Sequence, residues 1–293
     1  MLTPTKWTAL GAAAVLALAA CGSDDGAAEV EEVEAGEFPE GSTMAELAEA
    51  GEITIGTKFD QPLFGLQAPS GAPEGFDVEI AKIIAGELGI DEGGIEWVET
   101  VSANREPFIV DGTVDMVVAT YTINDERKEV ISFAGPYYIA GQSLMTLADN
   151  DEIEGPEDLA GMSVCSVEGS TPAANIAENY PDAELSLFAA YTDCLEPLRN
   201  GQVDVVTTDN VILAGYVAES EDTDVPFKIV GEQFTDEPYG IGVAREDDEF
   251  RNWINDVLEE IFEDGRWLEA WNETAGTVLP EPEVPTVDRY ETE

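Results

Sequence analysis

Histidine is absent from the 293 residues, and cations of any kind are scarce: 12 lysines and arginines stand against 63 aspartates and glutamates, a formal charge of −51. Without imidazole there is no side chain whose ordinary pKa lies near neutrality, and no histidine metal ligand. So negative a chain repels the phosphodiester backbone, which excludes nucleic acid as a partner. Such an acidic excess reads as adaptation to high salt, or as the habit of an acidic proteome. A glycine-rich phosphate loop is missing too, which argues against nucleotide chemistry. Carboxylate pairs such as Asp247-Asp248 and Glu259-Glu260 are plentiful, and in this composition they read as solvated faces rather than catalytic dyads. These absences favour binding over catalysis, with no cofactor and no metal. Cysteine is limited to Cys21, Cys165 and Cys194. Long apolar runs are limited to residues 9–20, which are too few to span a bilayer.

That run follows Lys6 and reads as a signal peptide over residues 1–20. It closes on small residues before Cys21 (Leu18-Ala19-Ala20-Cys21-Gly22-Ser23) and resembles the lipobox of bacterial lipoproteins. Cys21 would then be the lipidated amino terminus of a protein anchored at the outer face of the membrane. Processing there leaves two thiols in an oxidising compartment, and a disulfide between Cys165 and Cys194 is the natural pairing. Residues 21–41 are rich in Gly, Ala, Asp and Glu and read as a tether too poor in large apolar groups to order itself. Residues 277–293, with Pro280, Pro282 and Pro285 among acids, read as an extended, unpacked tail.

The roughly 235 residues between are comfortable for two lobes. Strand-like runs alternate with helix-like ones, which argues for α/β lobes with parallel sheets. One series runs through residues 53–57, a helix within 76–88, residues 95–98, a helix through Phe108 and Ile109, and residues 114–119. A second has the same plan: residues 163–167, a helix that Thr171 caps and Pro172 opens, residues 185–191, a helix over 192–199, residues 203–207 and a helix over 211–218. The last strand-like run, residues 239–243, and the helix carrying Phe250, Trp253, Ile254, Val257, Leu258 and Ile261 have no counterpart in the second series and are assigned back to the first lobe. Trp253, Trp267 and Trp271 read as packing. Lobe 1 is thus placed at 42–140 plus 241–276 and lobe 2 at 146–235, with two crossings, near residues 141–143 and 236–238, acting as a double hinge around a cleft.

Residues 114–128 are the chemical centre of this plan. An apolar run ends in Ala119-Thr120-Tyr121-Thr122, and a polar turn leads to Arg127. At the carboxyl end of such a strand an arginine and a threonine hydroxyl can grip a carboxylate. In a chain that has nearly abolished cations, Lys58, Arg105 and Arg127 each fall at or just after a strand end.

With these motifs in view, the chain resembles the extracytoplasmic solute-binding proteins of polar amino-acid ABC importers, and within them the actinobacterial glutamate-binding lipoproteins. The resemblance is carried by residues 56–62 (Gly-Thr-Lys-Phe-Asp-Gln-Pro), Gly75-Phe76-Asp77-Val78, Val114-Asp115-Met116, residues 119–127, Gly135-Pro136-Tyr137, residues 165–172, Val203-Asp204, Thr208-Asp209 and Tyr239-Gly240-Ile241. It implies a two-lobed periplasmic-binding-protein-like fold that closes on glutamate and hands it to a membrane permease, as a monomer and not an enzyme. It further implies that Arg127 and Thr122 take the ligand α-carboxylate, completed by Ser170 and Thr171 at a helix amino terminus. Asp209 would take the α-ammonium, with carbonyls near Ala119 and Thr120. Ser102-Ala103-Asn104-Arg105 matches the segment that supplies the side-chain arginine, so Arg105 sets specificity beside Ser102, with Lys58 as a second basic group. Thr208 stands where some relatives have histidine. The alternatives are a binder of glutamine, aspartate or another polar amino acid, or an enzyme like cyclohexadienyl dehydratase on the same fold.

Overall fold

The computed structural model describes residues 38–291. The chain builds α1 (Thr43–Ala50), β1 (Ile53–Thr57), three short strands β2 (Asp60–Gln61), β3 (Gly65–Gln67) and β4 (Pro73–Glu74), then α2 (Phe76–Glu87), β5 (Ile95–Glu99), α3 (Arg105–Val110), β6 (Met116–Val117), α4 (Asp125–Lys128) and β7 (Ser132–Ala140). It crosses to β8 (Gln142–Leu147), β9 (Ser163–Val167), α5 (Thr171–Asn179), β10 (Glu184–Phe188), α6 (Thr192–Arg199), β11 (Val205–Asp209), α7 (Asn210–Ser220) and β12 (Phe227–Val230). It returns through β13 (Glu237–Val243) to α8 (Asp248–Asp264) and α9 (Arg266–Glu273).

Two five-stranded sheets result among the described residues, ordered β5-β1-β6-β13-β7 and β10-β9-β11-β8-β12. Each has a parallel three-strand half, since β1 pairs in parallel with β5 and β6, and β9 with β10 and β11. The crossing strands pair antiparallel: β13 with β6 and β7, and β8 with β11 and β12. The alternation read from the sequence is therefore the two-lobed α/β fold observed. Sheet membership changes at Gly141, between β7 and β8, and again between β12 and β13. Ala140 and Glu237, the residues flanking this excursion, are ladder partners.

Hydrophobic periodicity explains the packing of lobe 1. Phe76, Ile80, Ala81 and Ile84 recur on one face of α2 and are fully buried, as an amphipathic helix over a sheet requires. Trp267 and Trp271 are buried on that side, with Tyr138 stacked on Trp271 at 5.1 Å between ring centroids. In lobe 2 a disulfide joins Cys165 on β9 to Cys194 on α6, with Cα atoms 5.9 Å apart.

Five local readings differ from the sequence expectation. The apolar run at 114–119 pairs as strand only at Met116 and Val117 before the chain turns away. Ser170, not Thr171, caps α5, its hydroxyl accepting from Ala173 N at 3.1 Å. Helix α1 went unread because its one strong signal is a cap, Ser42 accepting from Ala45 N, ahead of a weakly apolar stretch. The tail is extended but not unpacked: Asp288 N donates to Gly135 O at 2.8 Å, Phe133 N donates to the Tyr290 hydroxyl at 2.6 Å, and Leu279 and Val287 lie on the core. At the other end Phe38, placed in the tether by sequence, packs edge-on against Trp253 at 5.7 Å. The signal peptide and Cys21 lie outside the described residues.

Candidate ligand-binding cleft

Past β6 the backbone of Thr120 enters the left-handed region at φ 43°, which a β-branched residue avoids unless its surroundings hold it. Asp77, at the start of α2, supplies the hold: its carboxylate accepts from Thr120 N at 2.7 Å and from the Tyr137 hydroxyl at 2.6 Å. Thr120 Oγ1 donates to Gln61 Oε1 at 2.9 Å. The turn aims two carbonyls at Arg105, whose Nη1 reaches Ala119 O at 3.2 Å and Thr120 O at 3.3 Å. These carbonyls, which the resemblance assigns to a ligand ammonium, accept from the arginine here. Arg105 Nε donates to Ser102 O at 3.2 Å, and its guanidinium lies 4.2 Å from the centre of the Tyr121 ring. Lys58, the residue after β1, donates to Ser102 Oγ at 2.9 Å.

Arg127 is set by α4, whose cap Asn124 accepts its N–H at 2.9 Å. Its Nη1 donates to Thr122 O at 2.6 Å and its Nε pairs with Glu106 at 3.2 Å. Lys58, Arg105 and Arg127 are 3, 3 and 7% exposed, so three of the twelve cations are buried together.

Lobe 2 meets this cluster with the loop into α5. Gly169 O accepts from Arg127 Nη2 at 3.0 Å and from Arg105 Nη2 at 3.4 Å. Both lobe-1 arginines therefore end on one lobe-2 carbonyl. Gly169 has φ 77°, and a Cβ there would meet the Ala103 backbone at 2.7 Å, so only glycine permits the approach. Thr171 Oγ1 donates to Glu237 at 2.7 Å and lies 3.2 Å from Thr122 Oγ1. A second seam runs along β2, where Asp60 Oδ2 accepts from Tyr191 N at 2.9 Å and Asp60 O from the Tyr216 hydroxyl at 2.7 Å. The lobes are shut on one another.

Asp209 ends β11 on the far wall. It occupies the N-cap position of α7, yet its side chain makes no cap bond. Oδ2 accepts from the Tyr239 hydroxyl at 2.6 Å, and Oδ1 is buried with no hydrogen-bond partner.

Ser102, Arg105, Thr120, Thr122, Ser170, Thr171 and Asp209 line one small void of about 10 Å³, which Tyr191 and Ile212 help enclose. That is far below the roughly 300–1,000 Å³ of sites for drug-sized ligands, as expected where the lobes have shut on one another. Arg127 is not on this wall but on the larger groove that opens between the lobes beside it. Lys58 supports Ser102 rather than lining the void.

Burial strains the charges. Desolvation, then the neighbouring Arg105, pushes Lys58 down to about 7. Desolvation and Arg105 likewise lower Arg127 to about 10. Burial lifts Asp77 to about 7 against the hydrogen bonds from Tyr137 and Thr120. Burial and then the Glu237 charge lift Asp209 to about 7, opposed by the Tyr239 hydrogen bond. Cations on one side, an unpartnered carboxylate oxygen on the other and hydroxyls with a helix amino terminus between them suit a small zwitterion carrying extra negative charge.

Sequence reasoning did not single out Asp77, Gln61, Tyr121, Gly169, Glu237 or Tyr239 as functional. Asp77 carried a usable signal, since it shares the buried face of α2 with Ile80, Ala81 and Ile84, where an acid demands partners. The others act through contacts distant in sequence.

Paired α/β lobes joined by two crossings, with a charged cleft between them, define a two-lobed solute receptor. The chain belongs to the bacterial extracellular solute-binding proteins, family 3, which match residues 53–273. It is similar to the glutamate-binding protein of Corynebacterium efficiens, 39% identical over 285 residues covering 93% of this chain and 91% of that one. It is similar also to the ABC transporter glutamine-binding protein of Bacillus subtilis, at 38% identity over 88% and 92% of the two chains. Among solved structures it resembles an ancestral arginine-binding protein bound to glutamine, at 33% identity and a TM-score of 0.72, covering 76% of this chain and 97% of that one. The protein is an extracytoplasmic amino-acid-binding protein.

Proposed function

We propose that this protein is the substrate-binding lipoprotein of an ABC transporter, that it captures glutamate by lobe closure, and that it delivers this ligand to the permease without transforming it. The observation that carries the reading is the burial of Lys58, Arg105 and Arg127 on one side of the cleft, opposite the unpartnered Oδ1 of Asp209. Glutamate brings two carboxylates and one ammonium, which is the complement of that arrangement. The Gly169 carbonyl now takes an N–H from each arginine. A ligand carboxylate is a stronger acceptor for the same donors, and would bind between Arg127, Thr122 and the amino terminus of α5 at Ser170 and Thr171. The side-chain carboxylate falls to Arg105 and Ser102, with Lys58 behind them, and the ammonium to Asp209. Ligand contacts from both lobes favour the shut state to the extent that they are missing in the open one.

Calorimetric titration of the monomeric, delipidated protein with the twenty amino acids tests the substrate: glutamate should bind tightest, and equal or tighter binding of glutamine would replace the reading with that of a glutamine receptor. Incubation with glutamate followed by NMR should return it unchanged. Lipid anchoring rests on the small residues before Cys21, and mass spectrometry of membrane-extracted protein should find a diacylglyceryl group there.

A further inference from the structure

We infer that Tyr239 is the positioning residue of the ammonium site, fixing which oxygen of Asp209 faces the ligand. An aspartate at a helix N-cap ordinarily turns its carboxylate onto the first N–H groups of the helix. Asp209 holds that position in α7 and makes no such bond. Its Oδ2 is taken instead by the Tyr239 hydroxyl at 2.6 Å, which leaves Oδ1 buried and unpartnered on a residue that lines the cleft. With one oxygen pinned, the carboxylate cannot rotate to satisfy itself elsewhere.

Tyr239 is itself immobile. It is fully buried on β13, packed against Phe64, Tyr137 and Tyr138, and bridged through its backbone to Thr122. The following residue, Gly240, keeps this strand close: a Cβ there would meet Ile123 at 2.6 Å and the Ala134 carbonyl at 2.9 Å. Burial and the Asp209 charge raise the Tyr239 pKa well above 10, so the phenol stays protonated and keeps donating. Since β13 belongs to the lobe-1 sheet and Asp209 to β11 of lobe 2, the ammonium site is assembled across the lobes, and the strand that carries the chain back from lobe 2 aims it.

The inference rests on Asp209 being the ammonium acceptor, and pH separates it from a merely structural role. The groups facing Asp209 are Glu237 and Tyr239 on β13, Tyr191 before α6, Arg105 on α3 and Arg127 on α4. Glu237 raises the carboxyl, while Tyr239 and the two arginines lower it. Tyr239→Phe keeps the ring and removes only the hydroxyl, so the Asp209 carboxyl should rise further and the acid limb of ligand affinity should move to higher pH.

The experiment measures the glutamate dissociation constant of wild type, Tyr239→Phe and Asp209→Asn from pH 5.5 to 9, with Tm as the check on folding. Tyr239→Phe should bind about tenfold more weakly at pH 7, with the ratio to wild type shrinking as pH rises to 9. A ratio constant across pH, or no loss at all, overturns the role of Tyr239 while Asp209→Asn still weakens binding. If Asp209→Asn binds as wild type does, the ammonium assignment itself has failed and the inference falls with it. Should Tyr239→Phe lose its thermal transition, the same pH ratio is taken with Tyr239→Trp, whose indole N–H restores a donor; an acid limb near that of wild type supports the role, and one displaced upward by a donor-bearing residue overturns it.

Discussion

Asp209 is lifted from the ordinary 3.8 to about 7 by burial and the Glu237 charge, and the sign of that shift fixes what removing the charge does. Between those two values the folded carboxyl keeps a proton that the unfolded chain has released, so its contribution to stability falls as pH rises and is fully unfavourable above 7. Asp209→Asn, whose amide oxygen can still accept from Tyr239, should therefore stabilise the unliganded protein at pH 8 by on the order of 2–4 kcal/mol and do little at pH 4, read as Tm against pH. The same change should weaken every amino-acid ligand, so stability and binding move in opposite directions at one residue. The two arginines divide differently. Arg127→Ala should weaken all ligands alike, since it removes a contact to the shared α-carboxylate. Arg105→Ala should weaken glutamate by roughly one to two decades while glutamine loses much less, because only glutamate presents a second negative charge. Titration of both variants with both ligands checks this, and equal losses for Arg105→Ala would withdraw it as the selectivity residue.

Helices were legible where periodicity was strong: Phe76, Ile80 and Ile84 announce α2, and the stripe from Phe250 to Ile261 announces α8. Caps and short strands were less so. Two hydroxyls stand side by side at Ser170 and Thr171, and composition cannot say which one turns back onto the helix. The run at 114–119 is apolar apart from Asp115, and its apolar residues are all buried, but only part of it pairs. The tail was misread because proline and acid dominate its composition, whereas a few side chains decide its fate. Tyr290 lies under Lys128 at 4.1 Å and Arg251 at 4.6 Å, while Arg289 bonds Asp256 and Glu259 on α8. This strap joins α4, which carries Arg127, to β7 and α8. Tyr290→Ala should lower stability by about 1–2 kcal/mol through lost packing and cation–π contact. Its preference for glutamate over glutamine should be unchanged. Urea unfolding with paired titrations measures both.

For the molecule as a whole, two-lobed α/β architecture followed from two matching series of elements, because alternation and length survive any detail of packing. The cross-lobe bonds at Gly169, Asp60 and Tyr239 were not legible, since they join residues far apart in sequence and exist only once the lobes have met. The charge of −51 was legible at once, and its consequence is physical. Raising ionic strength from 0.1 to 1 M shortens the screening length from about 10 to about 3 Å, so Tm should climb with sodium chloride and equally with choline chloride if screening, not specific cation binding, is responsible. Calorimetric scans in the two salts decide it. The pairing of Ala140 with Glu237 reaches further. Everything between them is lobe 2, and the two residues where it departs and returns are already cross-strand neighbours. A two-residue Asn-Gly turn would close β7 and β13 into an ordinary hairpin. In modular terms, one lobe is a domain grafted into a single turn of the other, so it could be excised, or exchanged for that of a related receptor, without breaking a strand of the host.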